Sequence, residues 1–347
     1  MPSIPILTLP VLLALLPTLL AAQAGACELE AGDRRWAQEA LDSWETVRRD
    51  FLGVERTPLA PMVLFGAECA WYLAPDTAAS PALHRRTAPS GAELVFVGGR
   101  VPVRALRHGG TVPLPHGEDV PAAALAFAAP YGEGGASFFV MAAPSVWKRE
   151  PRHAAEPDLG GFFQGVFAHE MTHTLQVAAV VRRVEALRAR YTLPEDFDDD
   201  VVQKRFESVP GFRAAYEAER DLLYRAALEP DRERRRGLAR SALAAARERR
   251  ARFFTGADAV YAELEDAFLN MEGAANWAAF HLAKARTGAG ATDAEVLASV
   301  RGSGRWWSQD EGLALFLTLD SLLPGWQARV LGSEPASVFA LLEEAAR

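Results

Sequence analysis

Only two cysteines, Cys27 and Cys69, occur in 347 residues. Neither sits at metal-ligand spacing, so a thiolate zinc site is excluded. Positive charge is not in excess: 37 Lys and Arg stand against 45 Asp and Glu, for a formal charge of -8. That balance gives no support to a nucleic-acid partner. No segment recurs with the period of a repeat protein. Beyond residue 26 no run is long and apolar enough to span a bilayer, so no membrane span is expected after the leader. What remains is globular composition, half apolar and about a quarter charged, at a length that suits one large domain or two small ones.

The first 26 residues differ from the rest. IPILTLPVLLALLPTLLAA is apolar and uncharged, and it leads into Ala24-Gly25-Ala26, an A-x-A-like cleavage site. This reads as a signal peptide and places the chain outside the cytoplasm, periplasmic or secreted. No Lys or Arg precedes the apolar core, which departs from the usual pattern; a single-span anchor is the alternative. In an oxidising compartment Cys27 and Cys69 are expected to pair as a disulfide. The rival is a lipid anchor at Cys27, since Ala-Gly-Ala-Cys loosely resembles a lipobox that lacks its leucine.

Periodicity predicts an α+β fold: a small, mainly antiparallel N-terminal sheet and then a predominantly helical half. The boundaries are 1–26 for the leader, 27–155 for the α+β part and 156–347 for the helical part. Trp36, Ala40, Leu41, Trp44, Val47 and Phe51 mark an amphipathic helix over 30–53. PMVLFGAECAWYLAP (61–75) reads as one strand, and ELVFVGG, VPVRAL and GGASFFVMAAPSVW as others, separated by Gly/Pro-rich turns. From Asp158, a candidate helix cap, the chain reads as helix, broken at Pro194 and then continuing to 286. The basic run DRERRRGLARSALAAARERRARFF reads as a solvated helix face. DFDDD (196–200) lacks the glycine and distal Glu of a calcium loop and reads as a solvated helix start. RWWSQDEGLALFLTLDSLLPGW reads as a core helix, with a groove lined by Trp306, Trp307 or Gln309 as the alternative, and a short helix covers 334–347.

The chemistry lies in FAHEMTHTLQ (167–176), which holds His169, Glu170 and His173 as H-E-x-x-H. Residues four apart stack on one helix face, so both imidazoles can point at one ion. Glu170 is turned about 100° from His169, where it can reach water on the ion as general base. The alternative is a pair of hydrogen-bonded histidines on a core helix.

A catalytic zinc needs a third protein ligand. The longer pattern H-E-x-x-H-x-x-G-x-x-H is absent, because Gln176 and Ala179 stand at its Gly and third His. Glu272, in the apolar helix AFLNMEGAANWAAFHLA, is the leading candidate, since a carboxylate there needs a partner. Asn276 lies on the same face and could orient a ligating histidine. Glu265 lies about two turns before Glu272, His281 faces roughly the opposite side, and Glu217 and Glu219 read as a solvated face.

FAHEMTHTLQ with a distant EGAAN resembles the gluzincin branch of zincin metallopeptidases, over about 135 to 280. The resemblance implies Zn2+ held by His169, His173 and Glu272, and peptide hydrolysis by a zinc-activated water with Glu170 as base. The family pairs its ligand glutamate with an aspartate four residues on; here Asn276 replaces it. The family also implies that SFFVMAAPSVW is a sheet-edge strand along which a peptide or protein substrate aligns. An oxyanion-stabilising Tyr or His is expected too, with Tyr224 and Tyr261 as the available tyrosines. A catalytically silent, zincin-like peptide-binding or partner-binding protein is the alternative.

Overall fold

The apolar stripe of the first helix meets the sheet directly: Trp36, Ala37, Ala40, Leu41 and Trp44 are all buried. In the computed structural model the described residues are 27–55, 57–74, 81–131, 136–150, 159–193, 198–301 and 304–347. The expected leader, the expected Asp158 cap and the expected break at Pro194 lie outside them.

Helix α1 (Ala31–Thr46) runs on through a π turn and stops at Gly53, whose φ of +62° favours glycine. The strands are β1 (Met62–Phe65), β2 (Cys69–Leu73), β3 (Ala88–Phe96) and β4 (Gly99–Arg107). They continue with β5 (Thr111–Pro113), β6 (Asp119–Pro121), β7 (Ala126–Tyr131) and β8 (Ala136–Ala142), with helix α2 (Pro81–Arg86) before β3. Six strands form one sheet in the order β3-β4-β2-β1-β8-β7, antiparallel except for the β1–β8 pair. β5 and β6 form a separate hairpin.

Then come α3 (Pro144–Trp147), α4 (Leu159–Arg188), α5 (Val201–Phe206), α6 (Phe212–Leu228) and α7 (Arg232–Phe253). Last are α8 (Tyr261–Thr287), α9 (Asp293–Arg301), α10 (Trp307–Leu322), α11 (Gln327–Val330) and α12 (Val338–Ala345). The architecture is α+β, with the sheet in the N-terminal half and helices after it.

Four details differ from the sequence reading. Residues 61–75 are not one strand but a hairpin, reversed at Gly66, whose N–H bonds the Cys69 carbonyl at 2.8 Å. The turn-rich stretch after β4 contains the β5–β6 hairpin. PSVW is the short helix α3, opened by Pro144 at its first turn. The strand expected at the sheet edge, β8, is interior, flanked by β1 and β7. The edge on that side is β7, AFAAPY, with β3 at the other; the alanines and Pro130 of β7 give little strand signal, and proline is tolerated on an edge, where a ladder bond is not needed.

One apolar core runs from Leu29 to Ala346 and draws on sheet and helices alike. α4 lies across β7 and β8, α1 packs beside it, and α8 is sandwiched between α4 and α10. A smaller aromatic cluster gathers Phe206, Phe212, Tyr216, Phe254, Tyr261 and Trp307 beneath the helical half. Cys27 and Cys69 are joined as a disulfide, which engages the sulfur that a lipid anchor needs. Trp71 Nε1 also donates to the Cys27 carbonyl at 3.1 Å, so the start of the described chain is held against β2.

Candidate metal centre

α4 is seated by Phe167, which meets Phe139 of β8 edge-on at 5.1 Å and Trp36 of α1 at 5.9 Å. Ser137 at the start of β8 adds a hydrogen bond to the Thr174 carbonyl, 2.9 Å. These contacts fix the rotation of the helix about its axis. The roughly opposite face then carries His169 and His173 toward α8.

α8 is fixed from its other side. A Cβ on Gly273 would lie 2.6 Å from the Gly312 carbonyl oxygen of α10, so the two helices touch backbone to backbone. The glycines allow this approach, and Glu272, next to the contact, is driven into the interior with 2% exposure.

Three side chains converge there. His169 Nε2 and His173 Nε2 are 2.9 Å apart. Glu272 Oε2 is 3.3 Å from His169 Nε2, and Oε1 is 3.2 Å from His173 Nε2. Among the described residues this is the one group of three or more His, Cys, Asp or Glu side chains whose donor atoms gather within 4.8 Å. A tetrahedral zinc with ligands at about 2.0–2.1 Å holds its donor atoms about 3.3–3.4 Å apart. The observed spacings are close to that. Protons alone serve the group less well: Glu272 Oε2 is buried without a hydrogen bond, and the two facing Nε2 atoms can share only one proton between them. The donor set of two imidazoles and one carboxylate therefore fits a divalent ion.

The electrostatics follow from burial and proximity. Burial alone would lower His173; the facing Glu272 carboxylate overrides this and raises it to about 9. Burial opposes ionisation of Glu272, yet the two histidines hold it well below the usual carboxylate range. Glu170 is pushed up by burial, against the pull of His169 and His173, and it accepts a hydrogen bond from the Ala128 N–H of β7. The base position thus sits against the edge of the sheet.

The other sequence candidates lie elsewhere. Asn276 does not orient a ligand: its Nδ2 reaches the Gln309 carbonyl of α10 at 3.5 Å. The group at the histidine is Gln176, whose Oε1 is 3.2 Å from His173 Nδ1. Its signal was the three-residue step from His173 on one helix. Glu265 is engaged by Arg249 Nη1 at 2.6 Å and Arg250 Nε at 2.7 Å. Glu219, read as solvated, is fully buried against Arg249 Nε at 2.8 Å, while Glu217 is a surface partner of Arg213. Arg249 is thus the exception to the solvated face of α7; three carboxylates converge on it, including Glu311 at 3.5 Å. His281 faces Asp320 at 3.7 Å.

Tyr224 bonds the Asp310 side chain and carbonyl, both at 2.7 Å, and Tyr261 packs on Phe206 at 5.1 Å, about three turns before Glu272. Neither is an oxyanion group here. Trp307 is core, stacked on Tyr216 at 4.7 Å, while Trp306 is exposed. Of the acidic run, Asp199 is not simply solvated: burial, then the charge of Glu272, pushes it up to about 8. No family model, curated protein or solved structure matches this chain.

Proposed function

We propose that the chain is an exported zinc-dependent metallopeptidase. The observation that carries this reading is the convergence of His169, His173 and Glu272 with Glu170 beside them on the same helix. His169 Nε2, His173 Nε2 and a Glu272 oxygen would hold the ion. When bound, zinc lowers the pKa of water toward ~7 and polarises a carbonyl.

The protein groups do the rest. Glu170, raised by its burial, accepts the proton released as water attacks the peptide carbonyl, and then returns it to the leaving amine. β7 is the edge of the sheet on this side, so an extended peptide can add to it as a further strand and bring its carbonyl to the base. The Ala128–Glu170 bond supports this, because it places that edge beside the base. The disulfide is consistent with an oxidising compartment.

A silent peptide-binding protein is the second reading; the tyrosines tied up away from the site favour it. Metal content and peptide hydrolysis of the parent, Glu170→Gln and Glu272→Ala separate the two. The expected result is about one zinc per chain in the parent and in Glu170→Gln, and loss in Glu272→Ala. Hydrolysis of a peptide library is expected to fall by about 10²-fold or more in Glu170→Gln. A parent that takes up zinc and cleaves nothing would support the binding protein. A parent that takes up no zinc would end both.

A further inference from the structure

His173 donates or accepts at Nδ1 according to what Gln176 presents to it. Gln176 is buried, and its Oε1 lies 3.2 Å from His173 Nδ1. Its Nε2 lies 3.3 Å from the backbone carbonyl of Asn270 on α8. A carbonyl can only accept, so the amide NH2 must face Asn270. Rotating the amide by half a turn would set two oxygens against each other and leave a buried donor against the ring. The remaining amide oxygen therefore faces Nδ1, and it too can only accept. Nδ1 must then carry the proton.

We infer that Gln176, locked by the Asn270 carbonyl, is the positioning residue that holds His173 in the tautomer with Nδ1 protonated and Nε2 free to bind metal. This rests on the metal-site reading above. It goes beyond it by assigning to Gln176 the task that the sequence pattern had placed on Asn276. The same bond ties the ligand helix α4 to α8, which carries the third ligand, so tautomer and ligand spacing are set together. The Asn270 side chain has a separate task. Its Nδ2 donates to the Ala336 carbonyl at 2.7 Å, and its Oδ1 accepts from the Val338 N–H at 2.7 Å. Those bonds fasten the C-terminal segment and do not touch the metal site.

Zinc affinity is measured by competition with a chromophoric chelator for the parent, Gln176→Leu, Gln176→Glu and Tyr72→Phe. Folding is checked by circular dichroism, and the His173 tautomer is read by 15N NMR of the zinc-loaded proteins. Gln176→Leu, which cannot accept from Nδ1, is expected to weaken zinc by ~10–100-fold. Gln176→Glu restores an acceptor at Nδ1 but sets its second oxygen against the Asn270 carbonyl, and is expected to recover only part of that loss. Tyr72→Phe removes a buried hydrogen bond from its hydroxyl to the Pro113 carbonyl, 2.9 Å, in the sheet, and is expected to lose stability while zinc affinity stays within about twofold of the parent, since distant effects are roughly independent. In the parent, Nδ1 is expected to be protonated and Nε2 metal-bound. Equal zinc affinity in the parent and Gln176→Leu would overturn the inference and leave the metal site standing. So would a loss in Tyr72→Phe as large as in Gln176→Leu, which would mark the effect as general loosening. No zinc uptake by the parent would overturn both the site and this inference.

Discussion

Arg249 joins three carboxylates inside the helical half. Its guanidinium is fully buried and meets Glu219 at 2.8 Å, Glu265 at 2.6 Å and Glu311 at 3.5 Å. A buried charge is tolerable only when its partners neutralise it. Two arginines, Arg249 and Arg250, face three carboxylates here, and burial beside Glu219 pushes Glu311 up, so that it is the carboxyl that keeps its proton. Glu265 stays ionised, because Arg249 and Arg250 outweigh its burial. This explains why Glu265, one of the rival ligands in the sequence, is not free to bind metal. Arg249→Met keeps the bulk and removes the charge, leaving Glu219 and Glu265 short of their partner. It is expected to cost about 3–5 kcal/mol of stability, read from urea unfolding. A loss below about 1 kcal/mol would mean that the carboxylates take up protons without penalty.

At the scale of elements, the pairing of α8 with α10 decides where Glu272 points. Gly273 and Gly312 meet so closely that a Cβ on Gly312 would lie 2.7 Å from both the Cα and the N of Gly273. Backbone cannot yield there, so the helices must separate. Gly312→Ala is expected to lower stability by about 1–3 kcal/mol, as overpacking does, and to weaken zinc uptake because α8 carries Glu272 away from α4. Unchanged unfolding and zinc affinity would show that α10 does not set the site. How far the elements were legible varied with their contacts. The long helices announced themselves through three- and four-residue steps. The edge strand β7 did not, since alanines and a proline carry no alternation. The reversal at Gly66 was hidden inside an apolar run that reads the same for one strand as for two.

At the scale of the whole molecule, the metal-free protein holds protons that its unfolded chain would release. His173 is raised from 6.5 to about 9 by Glu272 despite its burial. Asp199 is raised by burial and by Glu272 from 3.8 to about 8, and Asp200 by burial and by Asp198 to about 6. Across these intervals the folded state binds more protons than the unfolded state, so stability falls as pH rises. For His173 the contribution is whole below about 6.5 and gone above about 9; for Asp199 the decline spans about 4 to 8. Glu272 has the opposite sign and adds stability as pH rises toward its unfolded value near 4.5. The metal-free protein is therefore expected to be most stable near pH 4–6 and to weaken steadily toward pH 9. A divalent ion replaces the His173 proton and offsets the charge of Glu272. Zinc addition is thus expected to raise the melting temperature most at pH 8–9 and to release protons on binding, seen by calorimetry in buffers of different ionisation enthalpy. A zinc effect that is larger at pH 5 than at pH 8 would contradict this.

The sequence by itself determined what depends on local period. His169 and His173 are four residues apart, so their common face, with Glu170 turned about 100° from His169, follows from 3.6 residues per turn whatever surrounds them. The amphipathic first helix and its stop at Gly53 follow from the same arithmetic. Tertiary structure alone decided which distant group completes the site. Glu265 and Glu272 are both carboxylates on one helix, and the apolar neighbours of Glu272 only rank it first; Arg249 engages the first, and the Gly273–Gly312 contact turns the second toward the histidines. Asn276 and Gln176 are likewise both amides within reach by sequence. Only the placement of the Asn270 carbonyl on a neighbouring helix selects Gln176. The physical reason is that a helix fixes the direction of its side chains, while the contents of the space they point into are set by packing with elements far away in the chain.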